Sequence, residues 1–238
     1  IGWLQLTHSR MRFAAALAGV AFANVLVFVQ LGIMNSMATA VMKPYDFFQA
    51  DIMISASDAN TLTEGGNVAR QWLFQALADR EVTAGTGLFV GNINWARETK
   101  TLGLTSFGID PVQPDFVNAV LKPKTATLQL QNSGILDMYA RGLPREEAAA
   151  IRPQSPASFE VSGKTLTLYD TFQGGGGFGG DGYLMMSDQT FLNLFPARSS
   201  AAPDHILLQV TRGADPEIVA SRLKEIISDR SLRIRSYA

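Results

Sequence analysis

Residues 174–182, GGGGFGGDG, are the stretch whose composition most invites a chemical reading. Glycines let main-chain N–H groups approach a ligand, and a phosphate-gripping loop sets them before a helix, with a lysine and a hydroxyl directly after. Here the run continues into YLMMS, which reads as a strand, and no GK[ST] occurs in the chain. Nucleotide binding is therefore not expected. The plainer reading is a mobile hairpin tip of Gly174, Gly175, Gly176 and Gly177 with Phe178 as its one large apolar residue, because a glycine run loses much backbone entropy on ordering. An exposed Phe178 on such a tip is a candidate feature for docking a partner.

Other catalytic parts are missing. Histidine occurs only at His8 and His205, and there is no HExxH or GxSxG pattern. The absence of cysteine removes thiol catalysis, disulfides and Cys-ligated metals. Asp181 and Asp188 are close in sequence, but turn formation and capping account for them. No catalytic residue, metal ligand or cofactor is expected, and the chain reads as a non-enzyme. Its 20 basic and 21 acidic residues give a net charge of -1, so no basic field draws in nucleic acid.

The elements that would carry these residues begin with a membrane problem. From Phe13 to Met34 the only strongly polar side chains are Asn24 and Gln30, and no charge falls between Arg12 and Lys43. A helix of about 22 residues spans about 33 Å, enough for a hydrocarbon core of about 30 Å. A cleaved signal peptide is the rival: Arg10 and Arg12 form a positive leader, and AFA at 21–23 mimics a cleavage site that would leave Asn24 first. The apolar run continues well past that point, through Val25 to Met34, which favours a retained anchor. Arg10 and Arg12 on the near flank place the N-terminus in the cytoplasm.

Ala15, Gly19 and Ala23 recur every fourth position and would give a smooth stripe for close approach of another helix, although alanine is also simply a good helix former. Asn24 and Gln30 are costly in lipid without a partner, which favours a bundle over a lone tether. Residues 1–12, with Trp3, Leu4 and Leu6 among polar neighbours, suit a surface-lying amphipathic segment or the plain start of the same helix.

Beyond the exit, residues 50–56, ADIMISA, alternate as a half-buried strand does. A helix is expected over about 67–78, capped by Asn67, with Val68, Trp72, Leu73 and Leu77 at helical spacing. EVTAGTGLFVGNINWA then reads as a strand. The order repeats near the other end: HILLQV as strand, Asp215 as cap with Pro216 at the first helical position, Val219, Leu223, Ile226 and Ile227 on one face, and LRIRSYA as strand.

Two strand-helix-strand units imply an α+β fold with a ferredoxin-like split βαβ subdomain. The expected division is a surface segment 1–12, a transmembrane helix and exit 13–42, a porter-like first part 43–95, an inserted mostly β subdomain 96–200, and a porter-like second part 201–238. Within the insertion, FEVSGKTLTLYDTF reads as a hairpin turning at Ser162 and Gly163, and SDQTFLNLF as a helix capped by Ser187, with Phe191, Leu192, Leu194 and Phe195 packed inward.

WLQLTHSRMRFAAALAGVAFANVLVFVQLG, followed by a long extracytoplasmic region, resembles the DevC-like branch of the MacB-type ABC exporter permeases, in the FtsX-like permease superfamily. YDTFQGGGGFGGDGYLMMSDQTFLNLFP is similar to that family's GTF...F..DG.L.MSD..F...FP segment. The resemblance implies an inner-membrane permease subunit that works as a homodimer with a separate ABC ATPase subunit. Its periplasmic domain would pass motion to a membrane-fusion adaptor and a TolC-like outer-membrane duct. The family also has three further spanning helices, so the chain, which starts at Ile1 and ends without a closing turn, reads as a piece of a longer protein. Two other readings remain open: a sensory receptor ectodomain and a secreted periplasmic binding protein.

Overall fold

The computed structural model describes residues 10–98, 100–175 and 179–237. The chain divides between Val41 and Met42 into two units. The first holds all but the last residue of α1 (Arg10–Met42), a helix of 33 residues with no acidic residue in its first turn and no buried side chain. At 1.5 Å per residue it is about 50 Å long. Leu17, Val20, Phe22, Val25, Leu26 and Phe28 are all exposed and spread around the helix rather than gathered on one face. It is long and apolar enough to cross a bilayer.

The second unit is built on one nine-stranded mixed sheet of order β5-β6-β4-β7-β3-β2-β8-β1-β9. In chain order the strands are β1 (Ile52–Ala56), β2 (Val82–Ala96), β3 (Thr101–Ile109), β4 (Ser133–Asp137), β5 (Ala157–Val161), β6 (Lys164–Phe172), β7 (Gly182–Ser187), β8 (His205–Val210) and β9 (Leu232–Ser236). The helices are α2 (Gln71–Ala76), α3 (Arg145–Ala150), α4 (Asp188–Leu194) and α5 (Pro216–Ile226).

β2, β8, β1 and β9 are the split βαβ arrangement expected from the sequence. β8 lies between β1 and β2, and β1 lies between β8 and β9, all antiparallel. Each strand-helix-strand unit thus leaves a gap that the other fills. α2 and α5 cover one face, where Ile52, Ile54, Leu73, Ala76, Val219 and Leu223 form a common core. α5 starts as its local signals dictate, with the Asp215 carboxylate accepting the Glu217 N–H at 2.9 Å. Arg222 on α5 then grips Asp79, beyond α2, through two bonds of 2.6 and 2.8 Å, and this holds the Asp79 carboxyl below its usual range.

Several local expectations need correction. β1 is buried along its whole length, not half-buried, because Met53 packs into a second core on the opposite face with Phe47, Phe48, Phe107 and Phe116. α2 is shorter than the expected 67–78, and Asn67 does not cap it. Val68 and Arg70 donate their N–H groups to Pro203 and Ala201, and the Asn67 amide donates to the Ala202 carbonyl, so pairing with a distant segment claims the residues a longer helix would need. Leu77 and Ile226 are exposed rather than inward.

The inserted half contains β3 to β7. β5 and β6 form the expected hairpin, with Ser162 and Gly163 both at positive φ, the combination a two-residue type I′ turn requires. Ser187 caps α4 by accepting the Thr190 N–H at 3.0 Å, and Phe191 and Leu194 are buried beneath it. The sheet curls, so that Trp95 on β2 stacks on Phe159 of the edge strand β5 at 4.4 Å between ring centroids.

Candidate docking loop and sheet joint

The glycine run is not a hairpin tip. β6 and β7 do not pair; β4 lies between them, parallel to β6 and antiparallel to β7. The run therefore joins two strands that lie on either side of β4. The last residue of β4, Asp137, is fully buried and its carboxylate anchors the run. It accepts the N–H groups of Gly174 at 2.9 Å, Gly175 at 2.9 Å and Tyr139 at 2.9 Å. A buried carboxylate is tolerated when main-chain donors replace its water.

That packing dictates glycine locally. A Cβ on Gly174 would lie 2.6 Å from Asp137 Oδ2 and 2.9 Å from Tyr183 Cδ2, and Gly175 has φ +98°. At the far root a Cβ on Gly182 would lie 2.5 Å from the Ala140 Cβ. Asp181 is held in the sheet: its carboxylate accepts the Gly103 N–H at 3.0 Å. Arg141 donates from its main chain to the Asp181 carbonyl and from its guanidinium to the Gly180 carbonyl at 2.8 Å. Both roots of the connection are therefore fixed. Gly176, Gly177 and Phe178 lie outside the described residues, as does His8.

Tyr183 packs beside the anchor with its hydroxyl buried and unpartnered. Burial, reinforced by the Asp137 carboxylate, pushes the phenol up to about 12. Asp137 and Arg141 were missed in the sequence; a lone Asp at a strand end and an Arg in a loop carry no periodic signal.

A second feature is the joint between the two halves of the sheet. β2 is 15 residues long and serves both. Through Leu88 it pairs with β8, ending at the Leu88–His205 pair, and from Phe89 it pairs with β3. Asp204 fastens this handover: its carboxylate accepts the Val90 N–H at 2.6 Å and Arg198 Nη2 at 2.5 Å, and its own N–H donates to the Leu88 carbonyl.

The unit's two chain ends also meet. The Tyr45 and Tyr237 rings are 5.7 Å apart, and the Tyr237 hydroxyl donates to the Tyr45 carbonyl at 2.9 Å. Burial above all, then Tyr45 and Asp46, raises the Tyr237 phenol above its usual range.

On α1 the five residues singled out from the sequence divide by angle. At about 100° per residue, Ala15, Gly19 and Ala23 share an arc of about 80° that also contains Gln30, while Asn24 falls outside it. All five are exposed. Among the described residues no group of three or more His, Asp or Glu side chains is placed to hold a metal ion.

No protein-family model and no curated protein sequence matches the chain. Its fold does match solved structures. The periplasmic region of MacB from Actinobacillus actinomycetemcomitans aligns with a TM-score of 0.52 at 11% identity, over 81% of this chain and 91% of that one. The extracellular domain of the noncanonic ABC-type transporter YknZ from Gram-positive bacteria aligns with a TM-score of 0.50 at 11% identity, over 78% of this chain and 98% of that one. The likeness is one of fold: a mixed α+β unit on a large mixed sheet.

Proposed function

We propose that the chain is the membrane-anchored extracytoplasmic portion of an ABC-type exporter permease. The observation that carries this reading is the agreement in fold of about four fifths of the chain with the MacB and YknZ domains, over 91% and 98% of their length. An apolar helix precedes the folded unit 42–238. The meeting of Tyr45 and Tyr237 supports it too, since it brings the two ends of the unit to one place, from which chain on either side can reach the same bilayer.

In this reading α1 is held in the inner membrane with its N-terminus in the cytoplasm, and the folded unit stands in the periplasm. A separate ABC ATPase subunit supplies the energy. Ala15, Gly19, Ala23, Asn24 and Gln30 serve helix packing against a second copy or further helices. The porter-like parts 43–95 and 201–238 flank the inserted 96–200. The connection of Gly174, Gly175, Gly176, Gly177 and Phe178 docks a membrane-fusion adaptor leading to a TolC-like duct. Its fixed roots suit that role, because a rigid base lowers the ordering cost of binding.

The test is to purify the whole gene product from membranes and identify what accompanies it. An ABC ATPase and an adaptor in stoichiometric amount are expected. A water-soluble product beginning at Asn24 and accompanied by neither would overturn the assignment. Phe178→Ala is expected to weaken adaptor binding about tenfold, as loss of an apolar anchor does; unchanged affinity would remove the loop from the docking surface.

A further inference from the structure

His205 stands at the joint, and one of its ring nitrogens is committed while the other is stranded. It is 1% exposed. Its Nε2 lies 2.9 Å from the Leu62 carbonyl, so Nε2 carries the proton and donates it. Nδ1 is buried with no partner, and so is the hydroxyl of Ser55, the residue directly across from His205 in the β1–β8 register. The neutral ring thus serves a single purpose, to hold the carbonyl of Leu62.

Leu62 belongs to the connection 57–70, which lies over the joint. Its side chain is fully buried, in the core that also holds Met53, Leu88 and Leu207. Elsewhere that connection is held by the buried Ala59 and Val68 side chains, by Arg233, which donates to the Ala59 and Ser57 carbonyls, and by Asp58, which accepts the Gly66 N–H at 3.1 Å. Val68 and Arg70 pair with the strap 201–203 that leads into β8. The His205–Leu62 bond therefore sits between the connection and the handover strand.

We propose that the His205–Leu62 contact is a proton-operated latch: with a neutral ring it clasps residues 57–70 over the sheet joint, and protonation at Nδ1 releases them. A second proton would place a full positive charge and a new N–H donor at a buried nitrogen that has no partner among the described residues. The charges around the ring oppose one another. The Leu62 carbonyl, which accepts from Nε2, favours the cation, as does Asp204, whose carboxylate is already spent on Arg198 and Val90; Arg235 on β9 disfavours it, and burial outweighs them all, so the charged ring is driven out towards water. Arg233 follows the Ser55 position across β1 on β9 and adds positive charge on that side. Arg70 lies on the opposite face of the sheet, near Gly87.

Burial, the main influence, lowers the imidazole below its usual 6.5. The closed form therefore binds fewer protons than the open form. The preference for closure is whole above the open-state value and is lost as pH falls from there through the depressed closed-state value. The latch stands on the fold and needs no transport function.

The test uses the full chain in lipid nanodiscs. With only two histidines in the sequence, ring resonances of His205 are separable from those of His8. His205 is expected to titrate below 6.5. Exchange of the Glu64 and Gly66 amides is expected to rise severalfold beyond the intrinsic rate as the pH falls from about 7.5 to about 5. His205→Gln, which keeps a donor for Leu62 and does not titrate, should abolish that rise. A His205 titration at or above the usual value, unchanged amide protection in acid, or the same opening in His205→Gln would each overturn the latch.

Discussion

The carboxylate of Asp137 and the main-chain N–H of Gly174 meet at 2.9 Å although 37 residues separate them in the chain. The bond converts a glycine run from a free loop into a connection nailed down at its start. Gly174→Ala would force a Cβ into the anchor and should cost about 2 kcal/mol, a fall in Tm of about 4 to 8 °C for a unit of this size. Gly179→Ala is the control, because open space surrounds that position; its Tm should not move. Thermal unfolding of both variants decides between an anchored and an unanchored loop.

Asp204→Asn keeps one acceptor at the sheet joint but removes the charge opposite Arg198. The loss should be about 2 kcal/mol, the size of a hydrogen bond to a charged group. It should appear as a lower urea midpoint with an unchanged slope, since the unfolded surface is the same.

Burial pushes the Tyr183 phenol up to about 12 in the folded protein, against about 10 in an unfolded chain. A folded value above the unfolded one means that the phenol's contribution is whole below about pH 10 and is lost as the pH rises towards about 12. Wild-type protein should lose about 2 to 3 kcal/mol across that window. Tyr183→Phe should lose less there and be no less stable than wild type at neutral pH, because the hydroxyl it removes has no partner. Denaturant titrations at a series of alkaline pH values check both statements.

Phe159→Ala removes the ring that Trp95 stacks on and opens a cavity at the closing edge of the insertion. A cost of about 3 kcal/mol is expected for a buried phenylalanine. Trp95 fluorescence should shift to the red as its partner is lost. A cost below about 1 kcal/mol would show that β5 does not close the sheet.

Features that depend on neighbours in sequence were legible before any fold was known. α1 announces itself by length and unbroken apolarity. Asp215 followed by Pro216 marks the start of α5, Ser187 marks α4, and Ser162-Gly163 marks the tightest hairpin. The alternation of four strands with two helices was enough to expect the split βαβ core, because each unit leaves an open position that the other fills. The sequence also drew attention to Gly174 and Gly175, but for the wrong reason: composition suggested mobility, whereas the structure uses their missing side chains to admit the Asp137 carboxylate.

What the sequence determined by itself, then, was the set of local elements and the membrane-length helix, since propensity, capping and periodicity act over a few residues. Only the tertiary structure decided that β6 and β7 flank β4 instead of pairing, that β1 is buried on both faces, and that Asp204 and His205 sit where one strand serves both halves of the sheet. Those outcomes rest on pairs such as Val90 with Asp204, 114 residues apart. A long-range partner leaves no trace in the spacing around either residue; it exists only once the sheet has chosen its strand order.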